Sequence, residues 1–284
     1  MTETASLPHV ILEPLVRAAL AEDLGRGGDL TSTLLVPADK KWKAALVARR
    51  AGVIAGMDCA RLAFALMDPS VSFGASVQDG AFVESGTVLA QVEGPARALL
   101  SAERTALNFL SHLSGIASLT RRYVEAVRPY PVAISCTRKT TPLLRALQKY
   151  AVRAGGGRNH RMGLDDAVMI KDNHIAVGDD LAQTIARARA AVGHTVKIEV
   201  EVDRIEQLRA IMQAPADIVL LDNMTIAELA ACVALAKGRF ILEASGGVTL
   251  DSVQGIAATG VDVISVGAMT HSAPILDMGL DSLV

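Results

Sequence analysis

Residues 195–222 read TVKIEVEVDRIEQLRAIMQAPADIVLLD. In TVKIEVEV (195–202) the residues alternate, with Lys197, Glu199 and Glu201 on one face and Ile198, Val200 and Val202 on the other. That is the period of a β-strand. RIEQLRAIM (204–212) is a helical pattern and DIVLLD (217–222) a second short apolar strand. The same order runs outward in both directions. Strand-like runs are VAISC (132–136), AVMIK (167–171), FILEAS (240–245) and VDVISVG (261–267). Helical patterns such as LLRALQKYAV, DLAQTIARARAAV, TIAELAACVALAK and LDSVQGIAAT lie between most of them. Strand then helix, repeated, is the signature of a parallel sheet covered by helices. Length and repetition favour an α/β barrel over an open doubly wound sheet, and no G-x-G-x-x-G follows the first strand.

Barrels of this kind place their chemistry at the C-terminal ends of the strands. Those ends read Thr137-Arg138-Lys139, Lys171-Asp172-Asn173-His174, Glu199 and Glu201, Asp222-Asn223, Glu243-Ala244-Ser245-Gly246-Gly247, and Ser265-Val266-Gly267. Six polar, mostly charged ends in succession point to one site. A loop, GGGRNHR (155–161), adds His160 and Arg161; its glycines allow a sharp turn and Arg158 is left unassigned. Arg138, Lys139, His160, Arg161 and Lys171 suit a polyanion, the arginine forks matching carboxylates and phosphates. Glu201 and Asp222, on neighbouring strands, are hard oxygen groups suited to Mg²⁺, ribose hydroxyls or a developing cation. Ser245 to Gly247 and Ser265 to Gly267 follow the last two strands, where barrels bind phosphate through backbone N–H groups. Charges aimed into a barrel are costly unless paired or bound to ligand; a structural pair deep inside is a credible alternative for Lys197 and Glu199, and less so for Glu201 at the exit.

The first part of the chain mixes helix and strand. EPLVRAALAEDLG (13–25) is a helix ended by Gly25, and SAERTALNFLSHLSGIASLTRRYVEAV (101–127) is one long helix with a buried face. FGASVQDGAFVESGTVLAQVEG (73–94) reads as a compact set of short strands. It has the glycine turns of a biotinyl or lipoyl hairpin but no lysine to carry the group, so a carrier module is disfavoured. Asp29 and Thr31 read as a cap or turn device.

Of 284 residues 51% are hydrophobic and 20% charged, with a net charge of −2. That balance excludes the broad basic surface of a nucleic-acid binder, and 3% aromatics exclude base-stacking platforms. Three scattered cysteines form no disulfide or metal framework and suggest a reducing cytosol. The start, MTETASLPHV, has no secretory pattern, and no apolar run reaches the roughly 20 residues of a membrane helix. A cytoplasmic protein is expected.

EDLGRGGDLT, ERTALNFLSHLSGIA, CTRKTTP, KYAVRAGGGRNHRMGLDDAVMIKDNHI, KIEVEV, LDNM, EASGG and GVDVISVGAMTHS together resemble the quinolinate phosphoribosyltransferases. The resemblance spans nearly the whole chain in order. It implies an open α/β sandwich N-terminal domain (1–115, joined by 271–284) and an incompletely closed α/β barrel domain (116–270). It implies a homodimer with active sites shared between subunits, using quinolinate, phosphoribosyl pyrophosphate and Mg²⁺. The products would be nicotinate mononucleotide, pyrophosphate and CO₂. By the same resemblance Arg104 reaches quinolinate from the neighbouring subunit, and Arg138, His160, Arg161 and Lys171 line the dicarboxylate pocket. Lys139, Glu201 and Asp222 face phosphoribosyl pyrophosphate; Ser245, Gly246 and Gly247 with Ser265, Val266 and Gly267 take its 5′-phosphate. Leu143 stands where the family usually has glycine.

Two other enzymes compete with this reading. A related phosphoribosyltransferase that uses nicotinate and does not decarboxylate needs fewer cations. A Schiff-base barrel lyase with Lys171 as nucleophile leaves Arg138, Lys139, His160 and Arg161 without work.

Overall fold

The computed structural model describes residues 6–176 and 180–283. Residues 1–5, part of the stretch read above as lacking a secretory pattern, lie outside the described residues. In chain order the elements are α1 (His9–Leu24), α2 (Leu30–Leu35), β1 (Lys41–Ala48), β2 (Gly52–Val53), α3 (Met57–Met67), β3 (Ser72–Ala75), β4 (Phe82–Val83), β5 (Val88–Pro95) and α4 (Ala96–Ala126). Then come β6 (Ala133–Ser135), α5 (Arg145–Ala154), β7 (Val168–Ile170), α6 (Asp172–Ala176), α7 (Leu181–Ala191), β8 (Ile198–Val202) and α8 (Ile205–Ala210). The chain closes with β9 (Ile218–Asp222), α9 (Ile226–Ala236), β10 (Ile241–Ser245), α10 (Val253–Ala258), β11 (Val263–Ser265), α11 (Ala268–His271) and β12 (Met278–Ser282).

Contacts divide the chain into two units. The first comprises Met1–Arg121, Thr140–Gly156 and Met269–Val284; the second comprises Arg122–Lys139 and Gly157–Ala268. The first unit holds an antiparallel sheet in the order β12-β1-β5-β3, and β12 brings the C-terminal residues back against β1. Leu12, Val16 and Leu20 form the buried stripe of α1, spaced by four. On α4, Ser114 Oγ and Ser118 Oγ accept the N–H groups of Ala55 (2.9 Å) and Val53 (2.8 Å), satisfying the edge of the two-stranded β2–β4 sheet. Asp29 caps α2, accepting from Ser32 N (2.9 Å), and also accepts from Ser101 Oγ (2.8 Å). These bonds, from Ser32 first, hold its carboxyl below the usual range. The helix α3 has no counterpart in the periodicity, because MDCARLAFALM is apolar nearly all round.

The segment 140–156 belongs to the first unit through α5. Gln148 is fully buried and its side chain contacts His112 Nε2 (2.8 Å), Thr141 Oγ1 (3.0 Å) and Thr270 O (3.2 Å). Tyr150 donates to Asp79 Oδ2 (2.7 Å), which also accepts the Gly56 N–H at the start of α3 (2.9 Å). Ahead of α5, Leu144 N–H donates to Thr141 O across Pro142 and Leu143. Leu143 has φ 66° and is 86% exposed. A turn with Pro second and a positive φ third favours glycine there. Leu143→Gly is therefore expected to stabilise the protein by about 0.5–1 kcal/mol, the cost of a left-handed L-residue less the chain entropy glycine adds. A raised midpoint in thermal unfolding checks this; a lowered one contradicts it.

The second unit is the alternation seen in the sequence. Six parallel strands run β6-β11-β10-β9-β8-β7, so the first and last strands are β6 and β7 and the ring of pairings is open between them. Arg158 lies against β6 on that side. Its N–H donates to Ile134 O (2.8 Å), and its carbonyl accepts from Cys136 N–H (3.1 Å). The preceding turn passes through Gly156 at φ 91°. Strand starts carry a repeated clamp. Asp217 accepts the Ile198 N–H at 2.8 Å, and Asp262 accepts the Leu242 N–H at 2.9 Å. Lys197 bonds Asp217 Oδ1 (3.1 Å) at this end, so the structural pairing of Lys197 is with Asp217 and not with Glu199. Lys197 precedes β8 and is 60% exposed, which removes the need for a buried partner.

Candidate active site

At the C-terminal ends of the six strands lies a cavity of about 470 Å³. Every strand contributes: Thr137, Arg138 and Lys139 after β6; Met169 and Lys171 around β7; Glu201 from β8; Leu220, Asp222 and Asn223 from β9; Glu243 and Ser245 to Gly247 from β10; Ser265 from β11. His160 and Arg161 enter from the glycine loop. Parallel register makes this convergence possible, since neighbouring strands end level: Ser245 pairs with Asp222, and Ser265 with Ser135.

One side of the cavity is cationic. Arg161 is anchored by Nη1 to Ala167 O (2.9 Å) and by Nη2 to Met169 Sδ (3.4 Å). Burial, then the neighbouring Arg138 charge, lowers its pKa, while Glu199 and Asp166 oppose the shift. Arg138 Nε is buried with no hydrogen-bond partner among the described residues. A buried donor left open in a cation-lined cavity fits an anionic ligand.

Acidic groups face these cations. Lys171 Nζ is paired with Glu201 Oε2. Asp222 Oδ2 accepts from Asn223 Nδ2 (2.7 Å). Two carboxylates on adjacent strands form no cage for a cation by themselves. They do match the set Mg²⁺ uses when a substrate supplies phosphate oxygens.

Beneath the cationic side a second cluster is buried. His160 Nε2 lies 2.9 Å from Glu199 Oε2 and 3.7 Å from Glu243 Oε1. Glu199 is 1% and Glu243 4% exposed. Burial, reinforced by the Glu199 charge and opposed by His160, pushes the Glu243 carboxyl up to about 7. The other ring nitrogen, His160 Nδ1, accepts the Arg161 N–H at 2.8 Å.

The opposite rim is backbone. Asn223 (φ 53°), Gly246 (φ 98°) and Gly247 (φ 58°) all adopt left-handed conformations, and Asn223 N–H donates to Ser245 O (2.9 Å). A Cβ at Gly246 would lie 2.9 Å from Asn223 N and closer still to its side-chain amide. Gly246→Ala is expected to weaken binding of a phosphate group at this rim about 10- to 100-fold, because about 1–3 kcal/mol of strain falls on the loop itself. Titration of a phosphorylated ligand against the variant checks this; unchanged affinity contradicts it.

The family profile for the quinolinate phosphoribosyl transferase C-terminal domain matches residues 116–281, and that for the N-terminal domain matches residues 29–114. The chain belongs to the quinolinate phosphoribosyl transferase family. It is 43% identical over 273 residues to a probable carboxylating nicotinate-nucleotide pyrophosphorylase of Bacillus subtilis (strain 168), covering 96% of this chain and 94% of the relative. It is 45% identical over 273 residues to the carboxylating nicotinate-nucleotide pyrophosphorylase of Mycobacterium leprae (strain TN), with 94% and 95% coverage. The solved nicotinate-nucleotide pyrophosphorylase of Francisella tularensis superposes with a TM-score of 0.94 at 36% identity, covering all of both chains.

Within this quinolinate phosphoribosyl transferase chain, most of the residues singled out from the sequence line one cavity: Arg138, Lys139, His160, Arg161, Lys171, Glu201, Asp222, Ser245, Gly246, Gly247 and Ser265. Arg104 sits exposed on α4 in the first unit and is not among the lining residues. Val266 and Gly267 are not among them either. Val266 N–H donates to Ser135 O (2.9 Å), so the strand ladder already uses it. Asn223, Glu199 and Glu243 belong to the site or its floor and were visible in the sequence only as polar strand ends.

Proposed function

We propose that the chain transfers a phosphoribosyl group from phosphoribosyl pyrophosphate to quinolinate, giving nicotinate mononucleotide, pyrophosphate and CO₂ in NAD biosynthesis. The observation that carries this is one cavity with Arg138, Arg161 and Lys171 on one side and a glycine-rich rim with Asp222 and Glu201 on the other. Membership of the family across both domains supports it. Quinolinate carries two adjacent carboxylates. Taking them out of water requires several fixed cations, which a monocarboxylate does not.

Arg138 and Arg161 hold the carboxylates and turn the pyridine nitrogen toward C1′ of the ribosyl donor. As the C1′–pyrophosphate bond breaks and the C1′–N bond forms, positive charge grows at C1′. Glu201 and Asp222 stabilise it electrostatically. Lys139 faces the negative charge growing on the leaving pyrophosphate. Glu201 and Asp222 would hold Mg²⁺ with the donor's own oxygens; when bound, it offsets that same charge. The ring nitrogen, now cationic, accepts the electron pair left when the C2 carboxylate departs as CO₂. C2 then takes a proton.

Lys171 works as a charge. Its Nζ is engaged in an ion pair with Glu201 Oε2, and this weighs against the Schiff-base alternative. We further propose a cytoplasmic homodimer in which Arg104 of one copy enters the cavity of the other. Among the described residues no helix is long and apolar enough to cross a membrane. Mixing Arg104→Ala with Lys171→Ala chains would restore activity if sites are shared and leave it absent if they are not.

The deciding comparison is quinolinate against nicotinate. Quinolinate is expected to exceed nicotinate in kcat/KM by at least about 1000-fold, since a site built to pair a charged group rejects the analogue lacking it. Comparable turnover of nicotinate would favour the non-decarboxylating alternative.

A further inference from the structure

Three side chains beneath the cavity are not used by the reaction as described. His160 was expected to line the dicarboxylate pocket. Its ring nitrogens have other work: Nδ1 accepts the Arg161 backbone N–H at 2.8 Å, and Nε2 faces Glu199 Oε2 at 2.9 Å with Glu243 Oε1 at 3.7 Å. An imidazole nitrogen that accepts carries no proton, so the ring proton sits on Nε2 and points at the carboxylates. Both carboxylates are buried and come from β8 and β10, the two strands that flank β9. Glu199 Oε1 and Glu243 Oε1 have no hydrogen-bond partner among the described residues, so Glu199 Oε2 makes the direct contact to the ring and Glu243 acts on it through charge.

We propose that Glu199 and Glu243 are positioning residues for the substrate cations: Glu199 holds the His160 ring by its Nε2 edge, Glu243 adds its charge on the same edge, and the ring in turn fixes the Arg161 backbone from its Nδ1 edge. The chain of contacts runs from the barrel floor to Arg161, whose guanidinium is then held by Ala167 O. The reason for such a floor is electrostatic. Burial, then the neighbouring Arg138 charge, lowers the Arg161 pKa, so the two cations work against each other. Glu199 opposes that repulsion from behind His160, where it supports the cations without occupying their outward faces. The elevated Glu243 carboxyl fits the same picture, because a buried pair of carboxylates around one imidazole carries less than two full charges. A pre-formed cation site avoids reorganisation when substrate arrives.

This inference rests on the reading of the cavity as a quinolinate site, and the test separates the two. Quinolinate alone and pyrophosphate alone are titrated calorimetrically into wild type, Glu199→Ala, Glu199→Gln and Glu243→Ala. The ¹⁵N–¹H spectrum of labelled histidine reports the His160 tautomer. If wild type fails to bind quinolinate, the functional reading falls while the tautomer still tests the floor. Glu199→Ala is expected to weaken quinolinate about 10- to 100-fold, the usual effect of removing a carboxylate behind a functional histidine. Glu243→Ala weakens it less, pyrophosphate affinity moves much less than quinolinate affinity in both, and Glu199→Gln, whose amide oxygen still accepts from Nε2 but which carries no charge, recovers only part of the loss. Wild-type His160 is expected to carry its proton on Nε2. The proposal is overturned by a folded Glu199→Ala with unchanged quinolinate affinity, by equal loss of both ligands, or by an Nδ1-protonated His160. Should Glu199→Ala not fold, Glu199→Gln and the wild-type tautomer decide in the same way.

Discussion

Arg161→Ala is expected to raise KM for quinolinate about 100-fold, a loss of about 2–3 kcal/mol typical of a charge-assisted hydrogen bond in a partly dry site. The guanidinium is already oriented by Ala167 O and Met169 Sδ, so little is lost in ordering it. Burial and Arg138 both depress its pKa, which shows a place where water screens charge poorly and a carboxylate would relieve the repulsion. Arg161→Lys should recover only part of the affinity, because an ammonium cannot reproduce the planar fork. Steady-state kinetics with each substrate varied in turn distinguishes the cases. KM for phosphoribosyl pyrophosphate should move far less than KM for quinolinate. Equal increases in both, with a lowered unfolding midpoint, would mean Arg161 supports the fold and not the substrate.

Glu201→Ala is expected to act on the other parameter, lowering kcat about 100- to 1000-fold, the scale of removing one pre-aligned electrostatic group. The ion pair with Lys171 adds a second signature. Without Glu201, Lys171 is released toward the cationic side, so KM for quinolinate should hold or fall while kcat drops. Glu201→Gln keeps the shape and removes the charge, and should resemble Glu201→Ala if charge at C1′ is what matters. A rise in quinolinate KM with kcat intact would place Glu201 in binding and remove it from the transition state.

The barrel was legible because its signal is periodic. Residues 195–222 carry a strand, a helix and a strand in one stretch, and the parallel sheet follows from repeating that unit. Strand-end charges were legible for the same reason: an unbroken apolar strand ending in Arg, Lys, Glu or Asp marks where the sheet meets its site. Depth was not legible. Alternation puts Glu199 and Glu201 on one face, but only about 7 Å of strand separates a buried floor carboxylate from one at the rim. Which cation each would meet depends on the fold of GGGRNHR, where Gly156 turns the chain and the Arg158 backbone pairs with β6. Lys197 misled because it shares the parity of Glu199 yet lies before the strand begins, beside Asp217. Val266 misled in a different way. A residue in a phosphate-like glycine segment looks available until the ladder bond from its N–H to Ser135 is seen. The helix α3 was missed because it is apolar around its circumference; residues 271–284 were expected to join the N-terminal domain, but β12 was not read as a strand because its partner β1 lies far away in the chain.

The most direct measurement follows quinolinate labelled with ¹³C at the C2 carboxylate, together with phosphoribosyl pyrophosphate and Mg²⁺. The account requires one labelled CO₂ for each pyrophosphate released, and no label in the nucleotide product. Pyrophosphate release with the label retained in a ribosylated dicarboxylate, or no turnover of quinolinate at all, would contradict it.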